Sequence, residues 1–211
     1  MPILMQDTIF KDCVFGVWEI TESFEELVQQ VEFYPEEQER FDGFKSTDRK
    51  MEWLSVRVLV KKLLGSQPQI VYNDKRKPFL LGEDKKVSIS HSKNLTAIML
   101  SDNKKIGMDL EYMSHSIEHV AHKFINDDEY INSTDEDLKH YHLYIHWCAK
   151  EALYKICDKQ DINFKKNLTL DPFEPSDCGR IYGWVDNKFW HDKFEMNYFR
   201  IKDYVVVMVS K

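Results

Sequence analysis

Asp109 and Glu111 stand two residues apart in Ile106-Gly-Met-Asp-Leu-Glu111. On an extended strand that spacing puts both side chains on one face, roughly 6–7 Å apart at the backbone, so two carboxylates can converge on one cation. Met108 and Leu110 then point into a core, and Gly107 leaves room beside the pair for a ligand. Taken alone, Asp-x-Glu is more often an alternating half-exposed strand with two outward acids. A third acid changes the balance. Glu151 lies in Trp147-Cys-Ala-Lys-Glu-Ala-Leu-Tyr-Lys155, where Trp147, Glu151 and Lys155 recur every four residues and line one helix face. An acid and a base at that spacing often form no more than a surface pair worth a few tenths of a kcal/mol. The same face also suits Glu151 on a metal and Lys155 on a phosphate oxygen. Three carboxylates with two diphosphate oxygens match the preference of Mg2+ for hard oxygen ligands.

Other residues have the chemistry to meet phosphate. In Ser88-Ile-Ser-His-Ser92 the serines share one strand face, and Ile89 and His91 share the other. His91, near a strand end beside two hydroxyls, can donate to a phosphate, although a lone histidine is usually structural. Lys77-Pro78 follows the turn-forming Asn73-Asp74, and the proline stiffens the loop that presents the lysine. Lys75, Arg76, Lys77, Lys85 and Lys86 form one basic cluster; Arg49, Lys50, Arg57, Lys61 and Lys62 form another. In a chain of net charge −7, such clusters fit a small polyanion or a solvated face, and the net charge argues against general nucleic-acid binding.

The elements that must position these groups follow from periodicity. Residues 47–64 predict a helix capped by Thr47 or Asp48 and stopped by Gly65, with Met51, Leu54 and Val58 as its apolar stripe and Lys50, Arg57 and Lys61 on another face. Residues 87–91, 95–100 and 106–111 predict three strands of an antiparallel meander. A short helix is expected over 117–124, an acidic loop over 127–139, a strong helix over 138–156 and a last strand over 204–210. Earlier, 14–20 reads as a strand and 22–31 as a helix. This order predicts an α+β protein of two lobes joined near residues 100–112. With 211 residues, 43% hydrophobic and 31% charged, the chain can bury a sizeable core. No apolar run reaches the roughly 18 residues of a membrane helix, and the first residues lack a basic-then-apolar leader. The chain is therefore expected in the cytoplasm, away from membranes, with Cys13, Cys148, Cys157 and Cys178 as buried thiols rather than bridges. His142 and His146, four apart on a helix, have a zinc-like spacing but lack the H-E-x-x-H glutamate and read as surface or packing residues.

In order and spacing, Arg49-Lys-Met-Glu-Trp-Leu-Ser-Val-Arg57, Lys77-Pro78, Ser88-Ile-Ser-His-Ser92, Ile106-Gly-Met-Asp-Leu-Glu111 and Trp147-Cys-Ala-Lys-Glu-Ala-Leu-Tyr-Lys155 resemble the Sfp-type 4′-phosphopantetheinyl transferases. The resemblance spans residues 49–155. It implies a pseudo-twofold pair of α/β lobes, 1–103 on the adenine and 3′-phosphate side and 104–211 on the metal-binding and catalytic side, with coenzyme A in the cleft between them. It implies Asp109, Glu111 and Glu151 as ligands of Mg2+, with Mn2+ as a substitute. Lys155 would contact the diphosphate with Lys150 nearby, His91 and Ser90 would contact phosphate, Arg49, Arg57 and Lys77 would surround the 3′-phosphate, and Pro78 would lie against the adenine. Glu151, Lys155 and His91 would be the catalytic residues. Arg76 departs from the family pattern, standing where a glycine usually precedes Lys-Pro. The implied activity is holo-[acyl-carrier-protein] synthase: transfer of phosphopantetheine from coenzyme A to a serine of an apo acyl or peptidyl carrier protein, with 3′,5′-ADP released, by a monomer. The strip Ile117, Val120, Phe124 and Ile125 is expected either to dock the carrier or to face the core. The alternatives are a metal-dependent phosphohydrolase using the same acids and a non-catalytic binder of coenzyme A or a carrier.

Overall fold

The computed structural model of the chain describes residues 3–114, 116–158 and 161–211. Met1 and Pro2, where the leader-free reading begins, lie outside the described residues. The chain is mixed α/β and divides after Lys104 into two compact units.

The first unit contains β1 (Ile3–Ile9), β2 (Cys13–Glu19), α1 (Phe24–Val28), α2 (Pro35–Asp42), α3 (Thr47–Leu64), β3 (Ile70–Tyr72), β4 (Pro78–Leu80), β5 (Lys86–Ser92) and β6 (Leu95–Ser101). Its main sheet is antiparallel in the order β1-β2-β6-β5, and β3 and β4 form a separate hairpin. Helix α3 packs on β2 and β6. Its N-cap is Ser46, one residue before the predicted caps, because the Ser46 hydroxyl accepts from the Arg49 amide. Gly65 ends it in the left-handed region at φ 75°. Residues Trp53 through Val60 are all buried, so α3 has a core segment buried all round where a single apolar stripe was predicted.

The second unit contains β7 (Ile106–Tyr112), α4 (Ile117–Val120) running into a 3-10 turn at Ala121–Lys123, α5 (Glu136–Ile156), α6 (Phe164–Asn167), β8 (Leu168–Leu170), β9 (Cys178–Asp186), β10 (His191–Ile201) and β11 (Tyr204–Ser210). Its sheet is antiparallel in the order β7-β11-β10-β9-β8. The predicted meander is therefore broken: β5 and β6 pair with each other, whereas β7 pairs with β11, Asp109 opposite Val207. Helix α5 lies against β7 and β11. Asp135 caps it by accepting from the Leu138 amide.

The strip Ile117, Val120, Phe124 and Ile125 belongs to the core of this unit. Phe124 is fully buried and Ile117 nearly so, with Val120 and Ile125 packed against the same cluster. Of the two expected roles the structure shows the core-facing one. Cys13, Cys148 and Cys157 are buried free thiols, but Cys178 is exposed. Among the described residues, no helix is long and apolar enough to cross a membrane.

Candidate active site

The strand β7 and the helix α5 bring four of the predicted groups onto adjoining elements. Asp109 and Glu111 project from β7, Glu151 and Lys155 from α5. Lys155 Nζ donates to Asp109 Oδ1 at 2.7 Å and to the Met108 carbonyl at 2.9 Å. Asp109 is buried; Glu111 and Glu151 are half-buried. Cys148, one turn before Glu151, reports on both strand acids: burial raises its thiol pKa well above the usual value, and the charges of Asp109 and Glu111 raise it further. The Asp109–Lys155 ion pair thus joins the acid-bearing strand to the helix in a largely water-excluded place, where a charge-assisted hydrogen bond is strong.

Gly107 has a different role from the one its sequence position predicts. A Cβ at this residue would lie 2.1 Å from the Ala152 carbonyl oxygen and 3.0 Å from the Ile156 amide nitrogen. The space it leaves is filled by the backbone of α5, not by a ligand. Gly107→Ala must push β7 off the helix. Overpacking of this kind costs about 1–3 kcal/mol, and here the obstacle is rigid backbone. We expect a melting midpoint several degrees lower by thermal unfolding, with weakened activity of Asp109. An unchanged midpoint would show that the strand and helix can separate freely.

The donor chemistry of Asp109, Glu111 and Glu151 suits a hard divalent cation, since all three offer carboxylate oxygens from two packed elements. Among the described residues, no three His, Cys, Asp or Glu side chains are gathered closely enough to hold a metal ion. The positive charge that Asp109 faces is the Lys155 ammonium.

Lys150, predicted near the diphosphate, is corrected. It is fully buried, and Nζ donates to Glu129 Oε2 at 2.6 Å, to the Phe124 carbonyl at 2.5 Å and to the Phe164 carbonyl at 3.4 Å. An ammonium held by three acceptors inside the core is not available to a ligand. Its partner Glu129 escaped the sequence reading because it lies in the stretch read as an acidic loop. The available signal was Lys150 itself, one residue after Ala149 and two before Ala152 on a helix whose interior needs a counter-charge.

In the first unit, His91 joins Arg49 and Glu52. Arg49 Nη1 donates to His91 Nε2 at 2.8 Å and to Glu52 Oε2 at 2.9 Å. Arginine has no acceptor, so His91 Nε2 accepts and the neutral ring carries its proton on Nδ1, which lies 3.6 Å from Glu52 Oε2. Ser90, one residue earlier on β5, is buried.

The Lys77 loop is organised by Asn73. Its Oδ1 accepts from the Lys75 amide at 3.0 Å and the Lys77 amide at 2.9 Å. Arg76 has φ 59°, a left-handed backbone that a glycine adopts more easily. That is the physical content of its departure from the family pattern. Pro78 opens β4 opposite Tyr72.

Arg57 is the second correction. It is buried, its Nε and Nη2 donate to Glu37 Oε1 at 3.1 and 2.7 Å, and Nη1 donates to the Trp53 carbonyl at 3.1 Å. Its guanidinium lies 3.1 Å from the centre of the Trp53 ring. Burial lowers its pKa to about 10 against the raising effect of Glu37, which leaves it charged at neutral pH. Glu37 Oε1 also accepts from the Ile70 amide, so this network ties α2, α3 and β3 together.

His142 and His146 are packing residues deep in the second unit. His142 Nδ1 accepts from the Asn132 amide at 3.0 Å, and the rings lie against Phe173. Burial first, then His146, pushes the His142 pKa down to about 4, against a smaller raising effect of Glu174, and burial lowers His146 as well. The folded value is below the ordinary 6.5. The neutral ring therefore stabilises the fold fully above pH 6.5, and this contribution is lost as pH falls from 6.5 through about 4. We expect the unfolding free energy from denaturant titrations to fall over that window by an amount approaching ~3 kcal/mol, on the order of 1.4 kcal/mol per pH unit. His142→Gln, which keeps an acceptor for Asn132, should flatten the decline; an equal decline in the variant would assign it elsewhere.

Comparison with known proteins places these elements in context. Residues 105–209 match the 4′-phosphopantetheinyl transferase superfamily. The 4′-phosphopantetheinyl transferase AcpT of Salmonella typhi is 38% identical over 64 residues, 30% of this chain and 33% of AcpT. The 4′-phosphopantetheinyl transferase HetI of Nostoc sp. is 28% identical over 178 residues, 78% of this chain and 71% of HetI. The likeness to the 4′-phosphopantetheinyl transferase superfamily thus covers residues 105–209 directly and, through HetI, 78% of the chain. The chain's match to AcpT spans about a third of that protein's length.

Proposed function

We propose that the chain transfers the 4′-phosphopantetheine moiety of coenzyme A to a serine hydroxyl of an apo acyl or peptidyl carrier protein and releases 3′,5′-ADP. The observation that carries this reading is the Asp109–Lys155 pair, which couples the acid strand to the acid-and-base helix inside the segment matching the superfamily. On this reading Asp109, Glu111 and Glu151 would draw together around Mg2+, or Mn2+ in its place, and the cation would supply charge neutralisation at the diphosphate. The serine oxygen bonds to the phosphorus nearest the pantetheine, and the bond from that phosphorus to the bridging oxygen breaks. Lys155 meets the charge that builds on the phosphate oxygens and stabilises or protonates the leaving group. Glu151 takes the serine proton, directly or through water. In the first unit, Arg49 and Lys77 bind the 3′-phosphate, His91 and Ser90 bind phosphate, and Pro78 stiffens the adenine side. The chain acts as a monomer in the cytoplasm.

The test is to supply coenzyme A labelled on its thiol with a fluorophore, with and without apo carrier. Fluorescent carrier with stoichiometric 3′,5′-ADP supports transfer. Coenzyme A cleaved at the same rate without carrier would replace this reading with hydrolysis.

A further inference from the structure

The Glu129 side chain is fully buried in the second unit and gathers two backbone amides, the Lys150 ammonium and the His146 ring around it. Oε2 accepts from Lys150 Nζ at 2.6 Å and from the Asn126 amide at 2.9 Å. Oε1 accepts from the Leu170 amide at 2.9 Å and lies 3.6 Å from His146 Nδ1. Through Lys150 the same network reaches the carbonyls of Phe124 and Phe164. One carboxylate and one ammonium thus bind α5 to β8, to the start of α6 and to the segment after the 3-10 turn. A buried ion pair is not in general more stabilising than apolar side chains of the same volume. What it supplies that they lack is direction. Lys150 directly precedes Glu151, and successive helix residues are about 100° apart. Holding Lys150 on Glu129 therefore sets the angle at which Glu151 leaves the helix.

We infer that Glu129 is a positioning residue for the transfer step, acting through Lys150 to set the orientation of Glu151 and Lys155 toward β7. This rests on the function proposed above, in which those two groups carry the chemistry. Glu129→Gln weakens the charge-assisted hydrogen bond while keeping the shape. The expected loss in kcat is about 10- to 100-fold, the usual effect of disturbing the groups that orient a metal ligand, with little change in the KM for coenzyme A.

A structural role is separated by a second variant, Glu129→Met with Lys150→Met, which replaces the pair with apolar side chains. Thermal unfolding and steady-state transfer to an apo carrier are measured for both variants and for the wild type. The inference predicts that the double variant regains the wild-type melting midpoint, or comes near it, while its kcat stays low. Recovery of kcat together with the midpoint would overturn it, as would a wild-type kcat in Glu129→Gln. Absence of transfer by the wild type itself would instead overturn the functional reading and this inference with it.

Discussion

Asp109→Ala is expected to lower transfer by about 10²- to 10³-fold, the loss seen when one preorganised charge-stabilising group is removed from an active site. Asp109 is buried and accepts the Lys155 ammonium at 2.7 Å, so the substitution removes a proposed metal ligand and releases the lysine from its place on β7. Asp109→Asn separates these effects. It keeps the volume and a hydrogen-bond acceptor for Lys155 but loses the charge. If Asp109 acts on a cation, Asn should be nearly as slow as Ala and should need far more Mg2+ for half-maximal rate. If Asp109 only holds Lys155, Asn should recover most of the rate at unchanged Mg2+ demand. Steady-state rates across a Mg2+ titration distinguish the two, with melting midpoints recorded to confirm folding.

Arg57→Ala is expected to destabilise the first unit by about 3–5 kcal/mol, because it strands the buried Glu37 carboxylate without its partner. Trp53 also loses the guanidinium stacked on its ring, and the link between α2, α3 and β3 is broken. Replacing both members, Arg57→Met with Glu37→Met, should restore most of the loss, since removing a buried pair is far less damaging than halving it. Denaturant unfolding measures both. A role in binding the 3′-phosphate predicts the opposite pattern: a normal unfolding midpoint and a raised KM for coenzyme A that dephospho-coenzyme A does not share.

Much of the local structure was legible in the sequence. Helices α3 and α5 follow from their apolar spacing, and Gly65 marks the C-cap of α3 because the left-handed backbone there suits glycine. The extended runs of β5, β6, β7 and β11 are legible from alternation and β-branched content. Which strands pair is not, because Asp109 opposite Val207 is a contact across nearly half the chain and nothing local distinguishes it from a hairpin with β6. The two misplaced cations fail for one reason. The Arg57 and Lys150 side chains point into cores from their helices, and their partners, Glu37 and Glu129, belong to other segments. A basic residue at phosphate-binding spacing and one neutralised in a core look alike until the partner is found. Gly107 shows the same limit: the sequence shows that a side chain is missing, not which neighbour takes its place.

The central claim is transfer to a carrier serine. The most direct measurement is the intact mass of an apo carrier protein after incubation with this protein, coenzyme A and Mg2+, alongside Asp109→Ala and a chelated control. The account predicts a gain of one phosphopantetheine that disappears in both controls and in a carrier lacking the serine. No mass gain on either acyl or peptidyl carriers, from folded protein that still binds coenzyme A, would contradict it.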